Sequence, residues 1–291
     1  MEPQFGGMGM MENFKDHETM MYYVKKNKKD FIFWVFTIAL IGFVYFFISS
    51  KDYSFLIVLS SMVQMLSFII ILLKVIGYES CSGLSFNTAI CYTILLSARL
   101  SSTLFYHGYL PSDEAGDWFY QLTEMITMIS SVFLLVLMKG KYQDTYDSHH
   151  DTLDYKYFVF PALALGFLVH TSLNKSLFSD VMWTFSMYLE TVAIVPQLVL
   201  FHAKKGQIEK YTSHFVALQG LSRLCSLLFW YDTYQELNEE QDGSYSLFHE
   251  YCGYFIILSQ VAQLIIMCDY YYFYFKSLWK GDGYMSISSE I

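Results

Sequence analysis

Three ionisable side chains lie inside apolar stretches where charge is costly. Glu190 falls near the middle of WTFSMYLETVAIVPQL (183–198), Arg99 within ICYTILLSARLSSTLF and Arg223 within VALQGLSRLCSLLFW. A lone charge at the centre of a bilayer costs roughly 3 kcal/mol on insertion scales, so each of these residues implies a buried partner or a wet cavity. The available acids are Glu190, Glu124 and Asp180, and pairing with the two arginines across a bundle would serve either a binding site or structure alone. Other chemistry is poorly supported. His149 and His150 with Asp147 and Asp151 form an acidic histidine loop, but adjacent histidines seldom chelate one ion, and no metal or other cofactor is expected. The chain has no glycine-rich phosphate loop and no serine or cysteine nucleophile with a paired base, which argues against an enzyme.

The elements that must position these charges are membrane helices. With 54% hydrophobic and 19% aromatic residues and only 15% charged, the 291-residue chain carries more apolar surface than a soluble protein of that size could hide. Eight apolar runs, at 31–49, 54–74, 86–106, 117–138, 156–173, 179–201, 213–231 and 248–272, each approach the ~20 residues that a helix needs to cross the hydrocarbon core. Strands would alternate in polarity and cross in ~10 residues, so helices are expected throughout. If every run spans, 14 of the 16 lysines fall on or at the margin of one side, and only Lys51 and Lys175 on the other. That asymmetry predicts two cytosolic termini and eight crossings. The five cysteines, Cys81, Cys91, Cys225, Cys252 and Cys268, have no metal-ligand spacing and read as core residues. The basic cluster Lys25, Lys26, Lys28 and Lys29 reads as a topology signal; no basic groove suggests a nucleic-acid partner.

From about residue 54 to 283 the chain resembles the endoplasmic reticulum lumen protein-retaining receptors, which recognise C-terminal Lys/His-Asp-Glu-Leu signals and are distant relatives of PQ-loop transporters. The resemblance is carried by LLK at 72–74 with SCSGLS at 80–85, TYDSHHDTLDY at 145–155, WTFSMYLETVAIVPQL at 183–198, GLSRL at 220–224 and CDYYYFYFKSLWKG at 268–281. It implies an all-α polytopic membrane protein: a seven-helix bundle of two three-helix repeats joined by a linking helix, with one additional N-terminal transmembrane helix. The expected division is a polar cytosolic segment at 1–30, the added helix and a short loop at 31–53, the receptor-like domain at 54–283 and a cytosolic tail at 284–291. By resemblance, Arg99, Asp180, Trp183, Glu190 and Arg223 are candidate ligand-binding residues, Asp269 serves transport, and Lys276 and Lys280 present the tail to coatomer. An arginine can clamp a terminal carboxylate bidentately, and an acid beside an indole face suits a lysine or protonated histidine.

Several of the family's binding positions are replaced. Ile57 and Thr233 stand where two further peptide-binding arginines are expected, Gln64 where a pH-sensing histidine is expected and Ser102 in place of an acid. Ser222 and Ser226 replace two cavity tyrosines and Phe229 an asparagine. Losing the imidazole removes the obvious route to pH-dependent release. The leading expectation is a sorting receptor of the endoplasmic reticulum and Golgi membranes. Its expected partners are membrane lipid, the C-terminal retrieval signals of lumenal proteins, coatomer at the tail and other membrane subunits through the added helix. The alternatives are a non-catalytic structural subunit, in another organelle membrane if need be, and a small-solute transporter suggested by Pro196-Gln197.

Overall fold

The computed structural model describes residues 28–47, 53–110, 114–174, 176–204, 207–238, 248–280 and 284–286. The segment 1–27, with most of its lysines, lies outside the described residues, as do Lys51, Lys175 and the tail beyond 286. Among the described residues nine α-helices account for the eight runs. They are α1 (Lys28–Phe47), α2 (Phe55–Tyr78), α3 (Phe86–Thr103), α4 (Glu114–Lys139), α5 (Lys156–Leu168), α6 (Leu177–Val192), α7 (Val195–Lys204), α8 (Lys210–Thr233) and α9 (Cys252–Lys280). The sixth run is divided into α6 and α7 because Pro196 has no N–H to bond back to the carbonyl of Val192. α2, α4 from Asp117, the α6–α7 pair and α9 to Trp279 are long and apolar enough to cross a membrane. Large apolar side chains such as Leu73, Val136, Phe160, Leu258 and Ile265 face outward, the arrangement a lipid solvent permits.

Two expectations are corrected. The fifth run stops being helical at Leu168, five residues early, because α6 side chains satisfy the backbone that follows. The Tyr188 hydroxyl donates to the Val169 carbonyl at 3.0 Å, and the Thr171 N–H reaches the Thr184 hydroxyl at 3.3 Å. Gly166 makes this closeness possible, since a Cβ there would lie 2.8 Å from the Cα of Phe185. The second correction is a short antiparallel ribbon, β1 (Gln207–Glu209) with β2 (Tyr284–Ser286), which ties the start of the expected tail to the loop before α8. Four of the cysteines are core residues as expected; Cys268 is exposed.

The helices pack as two triplets. In the first, α4 packs on α2 and α3; in the second, α9 packs on α6 and α8. Between triplets the pairing is crossed, α2 on α8 and α3 on α6, which is the exchange a two-fold axis would produce. α5 packs against α6. α1 places Trp34, Leu40, Ile41 and Tyr45 against a cluster that includes Phe55, Leu59 and Met62 of α2 and Leu218 of α8.

The crossed pairing is secured at one end of the bundle by polar contacts of the same pattern. From α7, Gln197 accepts from the Ser85 N–H at 2.9 Å and donates to the Gly83 carbonyl at 2.8 Å, holding the turn that opens α3. From α2, Lys74 meets Glu209 at 2.9 Å, at the residue that precedes α8. Gly83 has φ +79°, a left-handed conformation that glycine adopts without steric cost. The acidic histidine loop serves the same turn. Asp151 accepts from the Ser85 hydroxyl at 2.7 Å, the Phe86 N–H at 2.8 Å and the Tyr146 hydroxyl at 2.7 Å, so it caps α3. His150 bonds to Asp147 at 2.8 Å, and this bond, reinforced by Lys204 at 3.1 Å, holds the Asp147 carboxyl below the usual carboxylate range. Replacing Gln197 with Ala strands the Ser85 N–H and the Gly83 carbonyl and should destabilise the protein by about 2 kcal/mol, read as a lower thermal midpoint in detergent.

Candidate functional site

Where the two triplets meet, four ionisable side chains form a chain of ion pairs, Glu124–Arg99–Glu190–Arg223. Glu190 is fully buried on α6. One oxygen, Oε2, receives Nη2 of Arg99 from α3 in a short contact and Nη1 of Arg223 from α8 at 2.5 Å. The other, Oε1, accepts from the Gln64 amide of α2 at 2.6 Å. Arg99 uses Nη1 to reach Glu124 of α4 at 3.3 Å and Nε to reach Ser186 at 3.3 Å. Arg223 Nη2 donates to the Ser222 and Ser60 hydroxyls at 3.0 and 3.4 Å. The expected pairing of both arginines with buried acids is therefore observed, with Glu190 at the centre. Asp180 is the exception, because it pairs with neither arginine.

Helical spacing explains the convergence. Trp183, Ser186 and Glu190 recur at intervals of three and four on α6 and so share one face. Gln64 is fixed by its own network: its amide also approaches Gln219 Oε1 at 3.4 Å, and Gln219 donates to Ser67 at 2.6 Å. Where the family pattern leads one to expect a histidine, this chain has a neutral donor to the central carboxylate.

Beside the cluster is a cavity lined by Ile57, Ser60, Ser61, Arg99, Tyr120, Glu124, Trp183, Met187, Arg223, Ser226 and Trp230. Only about 10 Å³ of it is open to the centre of a water molecule, which is room for about one water. Four buried polar atoms on its lining residues have no protein partner: Glu124 Oε2, Arg223 Nε, Ser226 Oγ and Trp230 Nε1. Buried polar atoms in folded proteins are nearly always satisfied, so this grouping leaves several hydrogen-bonding positions open toward one cavity.

Asp180 and Trp183 lie next to the cavity and are closed off by Tyr109. The Tyr109 ring stacks on the Trp183 indole at 4.1 Å between centroids and 6° between planes, and its hydroxyl donates to Asp180 in a short contact. Asp180 also accepts from the Asn174 N–H at 3.1 Å. The acid and the indole face are thus adjacent, with a tyrosine in the space where a cation would sit. Ser102 bonds to Ser179 at 2.5 Å, and Trp230 packs edge-on against Trp183 at 5.2 Å. Tyr109 and Trp230 carried no mark in the sequence, Tyr109 because it lies in a loop and Trp230 because it ends an apolar run in which aromatics are ordinary. Asp269 is remote from the cluster, exposed on α9 and 3.3 Å from His202. Lys276 lies 5.6 Å from the Tyr272 ring; the side chain of Lys280 is outside the described residues.

The fold and this interior define an all-α polytopic membrane protein with a charged pocket between two helix triplets. Residues 80–233 match the family described as ER lumen protein retaining receptor. An ER lumen protein-retaining receptor of Dictyostelium discoideum is 31% identical over 77% of this chain and 94% of its own length. ER lumen protein-retaining receptor 3 of Mus musculus is 29% identical over 77% and 94%, and the receptor of Entamoeba histolytica 26% over 78% and 95%. The chain belongs to the ER lumen protein-retaining receptor family.

Glu190→Ala would leave two guanidiniums facing each other in a dry interior and should destabilise the protein by about 3–5 kcal/mol. Arg99→Ala leaves Glu190 held by Arg223 and Gln64 and strands only Glu124, a carboxylate that can take a proton where a guanidinium cannot lose one, so it should cost less. Thermal unfolding of the two detergent-purified variants gives the order.

Proposed function

We propose that this protein is a non-catalytic sorting receptor of the early secretory pathway, resident in the endoplasmic reticulum and Golgi membranes with both termini cytosolic. It takes the carboxyl terminus of a lumenal protein at the cavity beside Arg99 and Arg223. The observation that carries this reading is the set of unpartnered polar atoms on Glu124, Arg223, Ser226 and Trp230, gathered at one buried cavity together with the guanidinium of Arg99. Two of the four, Arg223 Nε and Trp230 Nε1, are donors only, and Ser226 can donate, so the lining offers itself to an acceptor such as a carboxylate. Asp180 and Trp183 then receive the cationic side chain of a Lys-Asp-Glu-Leu signal once Tyr109 has swung aside. Because the empty cavity holds about one water, binding opens the bundle between α3, α6 and α8.

The remaining assignments follow from the same reading. Residues 54–283 form the receptor unit and 31–53 supply an added helix, which packs on α2 and α8 and is available to a further membrane subunit. The loops with most of the lysines face the cytosol. Lys276 and Lys280 present the tail to coatomer, and Asp269 acts in transport through its contact with His202. One set of observations favours a second reading, that of a structural subunit that no longer binds peptide. Ile57 and Ser226 give the cavity lining fewer polar groups than the family pattern leads one to expect, and α1 is additional to that pattern.

Fluorescence-based binding of a Lys-Asp-Glu-Leu-terminated peptide to the purified protein, at pH 5.5 and 7.4, decides between them. The receptor reading expects saturable binding that is competed by unlabelled peptide, abolished by C-terminal amidation and weakened at least about tenfold by Arg99→Ala. Absence of binding at both pH values, with stoichiometric partners on co-purification, establishes the subunit reading instead.

A further inference from the structure

Glu124 is the carboxylate of the charge cluster whose geometry is incomplete. Its carboxylate is 1% exposed, one oxygen lies 3.3 Å from Nη1 of Arg99, and the other faces the cavity with no partner. It stands where an incoming carboxylate would have to stand to reach the same guanidinium. Counting formal charges, Arg99 and Arg223 contribute two positive charges and Glu190 and Glu124 two negative ones. The cluster is therefore balanced, and a peptide carboxylate added beside Arg99 would leave it one negative charge in excess. In a low-dielectric interior such an excess is strongly unfavourable. Glu190 cannot relieve it, because both of its oxygens are engaged by Arg99, Arg223 and Gln64.

We infer that Glu124 is an internal competitor for the anionic end of the ligand. It occupies Arg99 in the empty protein and must give up its negative charge by taking a proton, or withdraw, before a carboxylate can bind. The groups it faces are fixed: Arg99 from α3, Arg223 from α8, Glu190 from α6 and the Tyr120 hydroxyl one turn earlier on α4. Neither the arginines nor the phenol change charge between pH 5 and 8 at their ordinary values. Gln64 cannot titrate at all, so within the cluster a proton taken up with the ligand goes to the one carboxylate not held on both oxygens; Asp180, at the other pole, is held by Tyr109 and Asn174 and does not touch Arg99. Ligand binding through this site is then favoured at lower pH by a group on α4, and not by the residue at position 64.

This inference rests on the receptor reading, and the experiment separates the two. Binding of the Lys-Asp-Glu-Leu-terminated peptide is measured from pH 5.5 to 7.4 for the unaltered protein, Glu124→Gln and Glu124→Leu. The glutamine keeps the shape and removes the charge; the leucine removes the hydrogen bond as well and serves if the glutamine variant is unstable. The expected result is binding to the unaltered protein that weakens about tenfold as the pH rises, and binding to the variants that is about tenfold tighter at pH 7.4 and nearly independent of pH. If the variants bind no tighter at pH 7.4, or retain the original pH profile, Glu124 does not compete and the inference fails while the receptor reading stands. If neither the unaltered protein nor a variant binds at any pH, both fall together. A merely structural Glu124 would lower affinity at every pH on substitution, which is the opposite sign.

Discussion

The structure depends on the cost of keeping two guanidiniums away from water. Arg99 and Arg223 reach the bundle interior from opposite triplets, and Glu190 on α6 meets both. Without that carboxylate Arg223 would be an unpaired charge in an apolar medium, several kcal/mol in the unfavourable direction, and Arg99 would keep only Glu124. The three residues therefore fix how α3, α6 and α8 stand relative to one another. Gln64 brings α2 into the same contact and Glu124 brings in α4, so five helices are held by one ionic network.

A network of this kind contributes specificity of packing more securely than it contributes stability. The apolar contacts of a membrane bundle compete with equally apolar lipid, so shape alone gives little preference for one helix register over another. Buried polar groups add that preference, because a shift of one residue on α6 would turn Glu190 away from both arginines. The same logic operates at the end of the bundle where Gln197 grips the turn opening α3, Lys74 meets Glu209 and Asp151 caps α3. The crossed packing of the triplets is thus pinned twice, once at the charge cluster and once at these polar clasps.

The cavity shows how one ligand site can be retained in outline while its occupants change. Ser226 and Ile57 give small or apolar surfaces, Gln64 beside the cavity gives a neutral amide to Glu190, and Glu124 adds a carboxylate against Arg99. Tyr109 fills the place between Asp180 and Trp183 that a cationic side chain would take. Both poles of the site are consequently occupied by the protein's own groups, an acid at the arginine and a phenol at the acid and indole. Family membership describes the scaffold, whereas these side chains are particular to the interior of this chain.

Much of this architecture can be read from composition and order alone. Eight apolar runs, the lysine asymmetry and the presence of arginines and a glutamate inside those runs determine a helical membrane bundle with an ionic interior, because hydrocarbon leaves the chain few other solutions. Helix spacing likewise places Trp183, Ser186 and Glu190 on one face. What the tertiary structure alone decided is which charges meet and which groups stand in the way. By residue type Asp180 could pair with an arginine or receive a cation, and the tertiary structure gives it the Tyr109 hydroxyl and the Asn174 N–H instead. The break of the fifth helix at Leu168 depends on hydroxyls from α6, and the sharing of Glu190 between two arginines on different triplets depends on how those triplets cross. Local sequence encodes neither, because each is a contact between residues far apart in the chain whose energy exists only once the bundle has closed.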